Sequence, residues 1–336
     1  MTTVQPAAPL AGAAPDDEAA PASTRSPSGP AAVWARLWSR RSARAALAVI
    51  ALMVLAAVLA PVLAHLEGQS PNTFHDELLD SATGGSPNGA FGGISGSHWL
   101  GVEPTTGRDL FARLVYGAQI SLAVAFGATL GQLVIGVSVG LGAGLGGRFT
   151  DNALGRFTDL ALSFPSLFFS IALIAVVPDS FPRPVLLCLV VAFFGWAPMA
   201  RIVRAETLVL REREYVAASL LAGAGSWRLA RREILPGLAA PIATYTALML
   251  PANMVMEAGL SFLGLGVKPP TSSWGQMLSG ATTWFQVDPV YVLIPALTLL
   301  AAVLAFTTLG ESLRWALDPK NAGLEALEPR GKKGQK

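Results

Sequence analysis

Few side chains in this sequence are of a type and spacing that could do chemistry. The three histidines, His65, His75 and His98, do not have the spacing of metal ligands. The single cysteine, Cys188, lies within an apolar stretch, so neither a disulfide nor a cysteine-based metal site is available within the chain. Because the apolar stretches also hold no nucleophile with its base, we predict no catalytic, metal-binding or cofactor-binding residue.

A phosphate-binding loop is also absent from the sequence. The pattern G-x-x-x-x-G-K-[ST] occurs nowhere, and the basic stretch Gly331-Lys332-Lys333-Gly334 lacks both its spacing and its strand-to-helix context. We therefore expect that this chain is not an enzyme and hydrolyses no ATP.

Three polar residues inside apolar stretches are candidates for a solute pathway. Gln132 and Asn253 could each face a translocation path or hydrogen-bond a neighbouring helix. Glu257 lies near the end of an apolar stretch, and an ionised carboxylate costs about 3 kcal/mol at a helix centre and less near the interface. It is therefore a functional candidate, with a structural ion pair or a helix-end position as the alternative.

The composition is that of a membrane protein. The 336 residues are 52% apolar and 14% charged, which is too apolar and too poor in charge for an ordinary soluble enzyme. Six windows are long enough to cross about 30 Å of hydrocarbon as helices. They lie at about 46–66, 119–145, 157–177, 184–203, 237–260 and 290–311. We predict an all-α polytopic membrane protein with six transmembrane helices.

The residues between these windows complete the predicted organisation. Residues 1–33, rich in Pro, Ala and Ser and without the pattern of a signal peptide, form a disordered cytoplasmic tail. Residues 34–66 combine an interfacial lead-in with the first span, and residues 67–118 form an extracytoplasmic loop. Residues 119–312 make up the core with spans two to six, and residues 313–336 form a cytoplasmic tail.

The basic residues predict the orientation, because Lys and Arg are retained on the cytoplasmic side. With both termini in the cytoplasm, 20 of the 24 Lys and Arg residues lie inside. We expect a multi-pass protein of the inner, cytoplasmic membrane with both termini cytoplasmic. The net charge of +2 then reflects topology and not nucleic-acid binding.

Two apolar windows carry residues that shape helices. In the second window, glycines at roughly four-residue spacing predict a face on which another helix packs closely. These are Gly127, Gly131, Gly136, Gly140 and Gly144. In the third window, Pro165 removes a backbone donor and predicts a kink.

A polar, arginine-rich segment, Arg211–Pro236, lies between two apolar windows and is here called the docking segment. Its first part, Glu214–Ala222, favours a short helix because Ala and Leu dominate and proline is absent. Gly223 and Gly225 then interrupt the helix, and a second basic helix runs into the next span at Leu235-Pro236. The pattern predicts a helix, a tight bend and a helix that together bind a groove on a partner. A solvated basic loop is the alternative.

The docking segment resembles, without gaps, the coupling segment of ABC-importer permeases of the dipeptide, oligopeptide and nickel group, whose form is near EYVxAAxxxGAxxxxIxxxHxLPN. The residues that fall in place are Glu214, Tyr215, Val216, Gly223, Ala224, Trp227, Arg228, Ile234, Leu235 and Pro236. The chain departs from this form at Ala217, Ser219, Glu233 and Gly237.

Further blocks carry the resemblance from about residue 96 to 319. The blocks at 98–101 and 107–110 resemble the start of the permease domain. The Gly-Arg-Asp at 107–109 is a weak signal, with a local ion pair and turn as the alternative. The stretch 257–275 is similar to EAALSFLGLGVxPPxPSWG, and residues 310–319 resemble the close of the domain.

The resemblance implies a C-type permease subunit with the type I importer fold and a cytoplasmic coupling helix between spans four and five. Its implied partners are a second homologous permease, two ABC ATPases that bind ATP and Mg, an extracytoplasmic binding protein and membrane lipid, with no nucleic acid. The residues implied to contact the ATPases are Glu214, Tyr215, Ala218, Gly223, Ala224, Trp227, Leu235 and Pro236.

The resemblance implies import of dipeptides or oligopeptides. A permease for nickel or another small solute of the same group is the first alternative. A secondary transporter is the second, but it would be expected to show two related halves, and no such repeat is visible in the sequence. An intramembrane enzyme would need a catalytic constellation within the spans.

Overall fold

The computed structural model describes residues 29–318, and these are predominantly helical. Residues 1–28 of the predicted N-terminal tail and residues 319–336 of the predicted C-terminal tail lie outside this range. Within it, the only paired strands are β1 (Leu79–Asp80) and β2 (Ser86–Pro87), which form a two-residue antiparallel ladder. The predicted all-α architecture is confirmed.

The helices follow one another with short connections except between the third and fourth. They are α1 (Pro30–Ser39), α2 (Arg41–Val58), α3 (Ala60–Glu67), α4 (Leu110–Leu145), α5 (Arg148–Ser163), α6 (Ser166–Val176), α7 (Arg183–Gly195), α8 (Ala197–Arg211), α9 (Glu214–Leu221), α10 (Ser226–Leu229), α11 (Leu235–Phe262), α12 (Trp274–Ala281) and α13 (Pro289–Leu317). A π-helical turn, Ala230–Ile234, joins α10 to α11.

Within residues 29–318, four helical stretches are long and apolar enough to cross a membrane: α2, α4, α13 and the stretch Ser226–Phe262. Two bent pairs reach the same criterion together, α5 with α6 at 81° and α7 with α8 at 43°. If each bent pair is one span, the number of spans is six, as the sequence predicts.

Prolines explain why three predicted windows are not straight helices. Phe164 is extended at φ −90° and ψ 130°, as expected for the residue before Pro165, so the predicted kink is a full break between α5 and α6. The window at 184–203 is divided at Trp196, with Pro198 in the first turn of α8. The window at 46–66 is divided at Leu59, where Pro61 opens α3.

The glycines of α4 allow two other helices to approach it closely. A Cβ at Gly136 or Gly144 would lie 2.6 Å from the Cβ of Met199 or Thr207 on α8. Gly127 and Gly131 face α7 in the same way. The predicted role of this face in helix packing is confirmed, and α4 becomes the central helix of the bundle, in contact with α2, α7, α8 and α11.

Candidate coupling surface and buried polar sites

The docking segment folds as helix, bend and helix, as its sequence predicts. Gly223 ends α9 in the left-handed region at φ +81°, which costs glycine little. The amide of Gly223 donates to the Leu220 carbonyl at 3.0 Å, and the amide of Ala224 donates to the Ser219 carbonyl at 3.0 Å. This pair of bonds is the Schellman arrangement that closes a helix and turns the chain.

Three apolar side chains anchor the docking segment to the bundle. Val216, Leu229 and Ile234 are buried against residues of α8 and α11. At the base of the segment, Nη1 of Arg211 donates to the carbonyl of Gly144 at 2.7 Å, which satisfies a free carbonyl in the last turn of α4. The segment is therefore positioned by the ends of the spans.

The rest of the docking segment faces outward. Leu221 is 91% exposed and Trp227 is 78% exposed, and Arg228, Arg231 and Arg232 are also exposed. Of the eight residues predicted to contact the ATPases, seven are exposed and Ala224 is half-buried. Leu221 was missed because the family form leaves its position unspecified, although a leucine beside the bend is a signal for it.

Two positions at which the chain departs from the family form meet in the structure. The hydroxyl of Ser219 donates to Oε1 of Glu233 at 3.1 Å, joining α9 to the π-helical turn.

Gln132 and Asn253 form a reciprocal pair between α4 and α11. Nε2 of Gln132 donates to Oδ1 of Asn253 at 3.0 Å, and Nδ2 of Asn253 donates to Oε1 of Gln132 at 2.8 Å. The second protons of the two amides reach the Val191 carbonyl and the Thr129 hydroxyl. These buried amides are fully paired and link α4, α7 and α11.

The same pair lines a cavity of about 240 Å³ between α4, α7 and α11. Its wall is mostly apolar, with Tyr245 and Ser166 as further polar groups. Two of the three pathway candidates therefore meet at one cavity.

Glu257 is fully buried in a separate cluster of hydroxyl groups. It accepts hydrogen bonds from Ser121 at 3.0 Å and from Ser261 at 2.8 Å. These hydroxyls in turn accept from the amides of Trp274 and Val267, both at 3.1 Å. The carboxyl group therefore holds the two hydroxyls that bind the amides of Val267, in the irregular loop after α11, and of Trp274, at the start of α12.

The Gly-Arg-Asp block forms the local ion pair and turn named as the alternative. Nε of Arg108 donates to Oε2 of Glu103 at 2.6 Å, and the hydroxyl of Tyr291 donates to Oε1 at 2.7 Å. Burial raises the pKa of Glu103, but the charge of Arg113 and these bonds outweigh it, so the pKa lies below its ordinary value. Nη2 of Arg113 donates to Gln276 at 2.7 Å, which extends the network to α12.

Asp109 connects this loop to the first turn of α4. Its Oδ1 accepts from the amide of Ala112 at 2.7 Å as an N-cap, and Nδ1 of His98 lies 2.9 Å from Oδ2. This cap explains why α4 begins at Leu110, nine residues before the predicted window and inside the segment predicted as loop 67–118.

Glu67, at the end of α3, lies beside this cluster. Its Oε1 accepts from the amide of Trp99 at 2.7 Å, and burial together with the nearby Asp109 raises its pKa to about 7. Across residues 29–318, no group of three or more His, Cys, Asp or Glu side chains is placed to hold a metal ion.

Comparison with known proteins identifies the family of this chain. Residues 132–322 match the family described as the binding-protein-dependent transport system inner membrane component, and residues 31–79 match the N-terminal TM domain of oligopeptide transport permease C. The glutathione transport system permease protein GsiD of Pectobacterium atrosepticum is 37% identical over 228 residues, 68% of this chain and 74% of that protein.

Two further relatives are similar to this chain over comparable lengths. The dipeptide transport system permease protein DppC of Alkalihalophilus pseudofirmus is 37% identical over 235 residues, 70% of this chain and 76% of that protein. A putative peptide permease protein of Brucella ovis is 40% identical over 228 residues, 67% of this chain and 74% of that protein. The chain belongs to the family of binding-protein-dependent transport system inner membrane components, and it is a multi-pass permease subunit of an ABC importer.

Proposed function

We propose that this chain forms, with a second homologous permease, the translocation path of an ATP-driven importer of dipeptides or oligopeptides. In this proposal two cytoplasmic ATPases bind the docking segment and supply ATP and Mg, and an extracytoplasmic binding protein delivers the solute. The names of the relatives reported above support peptides over nickel, because they refer to dipeptide, glutathione and peptide transport.

The exposed face of the docking segment is the observation that carries the proposal. Leu221 and Trp227 are large apolar side chains in a polar, arginine-rich segment, and exposed apolar groups of this kind mark partner surfaces. Arg228, Arg231 and Arg232 flank them. The complementary partner surface is therefore an apolar cleft with carboxylates at its rim.

The positive-inside bias supports a cytoplasmic docking segment and cytoplasmic termini. Residues 67–109 then face outward, towards the binding protein. We assign the walls of the path to the cavity beside Gln132 and Asn253. Glu257 contributes by holding the loop between α11 and α12 in place.

Co-purification of the ATPases with the permease pair tests the docking surface. We expect Leu221→Asp to weaken binding at least ten-fold, because a carboxylate would be desolvated in an apolar cleft. Phe149→Asp is the matched control, since Phe149 is 87% exposed at the start of α5, outside the docking segment. Equal retention of the ATPases by wild type and Leu221→Asp would contradict the proposal.

Uptake by reconstituted transporter tests the solute and the energy source. We expect uptake of a labelled dipeptide that requires ATP and the binding protein, with no uptake of Ni²⁺. Uptake of Ni²⁺ alone would replace the peptide assignment, and peptide uptake driven by a proton gradient without ATP would contradict the importer assignment.

A further inference from the structure

The docking segment has two arms, α9 and the stretch 226–234, joined by residues 222–225. This joint is open to solvent. A Cβ added at Gly223 or Gly225 would meet nothing within 4 Å, and Gly223 already occupies the left-handed region. The backbone bonds of Gly223 and Ala224 go back to α9, and the carbonyl of Gly225 accepts from Leu229 in the second arm. No backbone hydrogen bond of the docking segment therefore crosses from one arm to the other, and glycine restricts rotation between them least.

Two kinds of contact connect the arms across the joint. Val216 belongs to the same apolar cluster as Leu229 and Ile234. The hydroxyl of Ser219 donates to Oε1 of Glu233 at 3.1 Å, and among residues 29–318 this is the only side-chain hydrogen bond between α9 and the stretch 226–234. Apolar contacts tolerate sliding, whereas a hydrogen bond between two defined atoms fixes a distance and a direction.

The position of Glu233 connects this hydrogen bond to the start of α11. Glu233 lies in the π-helical turn directly before Ile234, which is fully buried, and that turn continues into α11. A displacement of Glu233 is therefore transmitted to the first turn of the span. Ser219 lies in the other arm, in the last turn of α9, next to the exposed side chains of Leu220 and Leu221.

We propose that the Ser219–Glu233 hydrogen bond is a strut that makes the two arms of the docking segment move as one body. When the ATPases displace α9, the strut passes the displacement to α11; without it, the joint at residues 222–225 absorbs part of the movement. Ser219 and Glu233 are positioning residues, and the proposal rests on the proposed function of the docking segment.

The test uses the complete transporter, with both permeases, the ATPases and the binding protein, in proteoliposomes. The readout is the amount of dipeptide imported per ATP hydrolysed. We expect Ser219→Ala and Glu233→Ala each to lower this ratio at least five-fold, and the double variant to lower it no further. Glu233→Gln, whose amide oxygen still accepts from Ser219, should retain the ratio within two-fold.

Two measurements separate this proposal from simpler explanations. Thr150→Ala is the matched control, an exposed hydroxyl residue of α5 outside the docking segment, and it should leave the ratio unchanged. Co-purification of the ATPases with each variant should stay within two-fold of wild type, because the strut faces the other arm and not the partner.

The outcomes are distinct. An unchanged ratio in Ser219→Ala and Glu233→Ala would overturn the strut while leaving the docking segment in place. A loss in Glu233→Gln as large as in Glu233→Ala would also overturn it, because the charge and not the bond would then matter. If wild type fails to retain the ATPases, the proposed function fails, and the strut with it.

Discussion

The two ends of the bundle differ in whether their charged side chains are buried or exposed. At the loop end, residues 67–113 together with 257–291, the charged side chains of Glu103, Arg108, Arg113 and Glu257 are buried and bonded. At the docking end, residues 211–236, only three apolar residues are buried, and the arginines are exposed apart from the bond that Arg211 makes to α4.

This contrast shows where the chain is held and where it can move. A buried, paired charge becomes costly when its partner leaves, so the loop end resists rearrangement. The docking end contributes only three side chains to its apolar cluster, and its joint is open to solvent, so local movement there costs less. Under the proposed function, the loop end would stay in place while the docking end passes the movement of the ATPases to the spans.

The largest effect is expected from breaking the ion network at the loop end. Glu103→Ala leaves Arg108 and Arg113 buried without their carboxylate, which should cost about 3–5 kcal/mol. Thermal unfolding of the purified permease pair measures this loss. Asp76→Ala, an exposed carboxylate of the same loop, is the control and should change the unfolding temperature little. Equal behaviour of the two variants would contradict a rigid loop end.

Glu257 should show an intermediate effect. Glu257→Ala leaves the hydroxyls of Ser121 and Ser261 without their acceptor, at a cost of about 1–3 kcal/mol. Glu257→Gln keeps an acceptor, so it should unfold within about 1 kcal/mol of wild type and import peptide normally. Hydrogen exchange across residues 263–274 reports the loosening of the loop. A stable Glu257→Gln variant without transport would instead assign Glu257 to the path.

The pH dependence of the loop end should be smaller but measurable. Burial raises the pKa of Glu67 from 4.5 to about 7, so the folded state binds this proton more tightly than the unfolded state does. The stabilising contribution is complete below about pH 4.5 and is lost as the pH rises to about 7. Between pH 5 and pH 8 the unfolding temperature of wild type should therefore fall more than that of Glu67→Gln. Parallel curves would show that Glu67 ionises normally.

The smallest effect on global stability is expected at the docking end. Gly223→Ala forces a Cβ into the left-handed region, at a cost of about 1 kcal/mol confined to the end of α9. Faster hydrogen exchange at residues 222–224, with an unchanged unfolding temperature of the bundle, is the expected result. Cooperative destabilisation of the whole protein would show that the docking end is as firmly integrated as the loop end.

Sequence patterns predicted much of this arrangement because they depend on local physics. The helix–bend–helix fold of the docking segment follows from two local causes. Alanine and leucine favour α9, and Gly223 ends it. The glycine face of α4 is likewise visible as a spacing. The break at Phe164–Pro165 was predicted as a kink, but its 81° angle depends on what surrounds α5 and α6.

The roles of the polar residues were not predictable in the same way. Gln132 and Asn253 are 121 positions apart, and only the packing of α4 against α11 shows that each satisfies the other. The local ion pair of Arg108 was among the predicted alternatives. The bond from Tyr291 to the same carboxylate, Glu103, is a contact across 188 positions that no local pattern shows.

By itself, the sequence determined the class of the protein, its number of membrane windows, the docking segment and the family that the comparisons confirm. These follow from composition, periodicity and motifs, which are properties of contiguous residues. Only the tertiary structure decided which polar groups are paired, where the charges are buried and that Ser219 meets Glu233. Such contacts arise when distant segments pack together, and no local pattern specifies them.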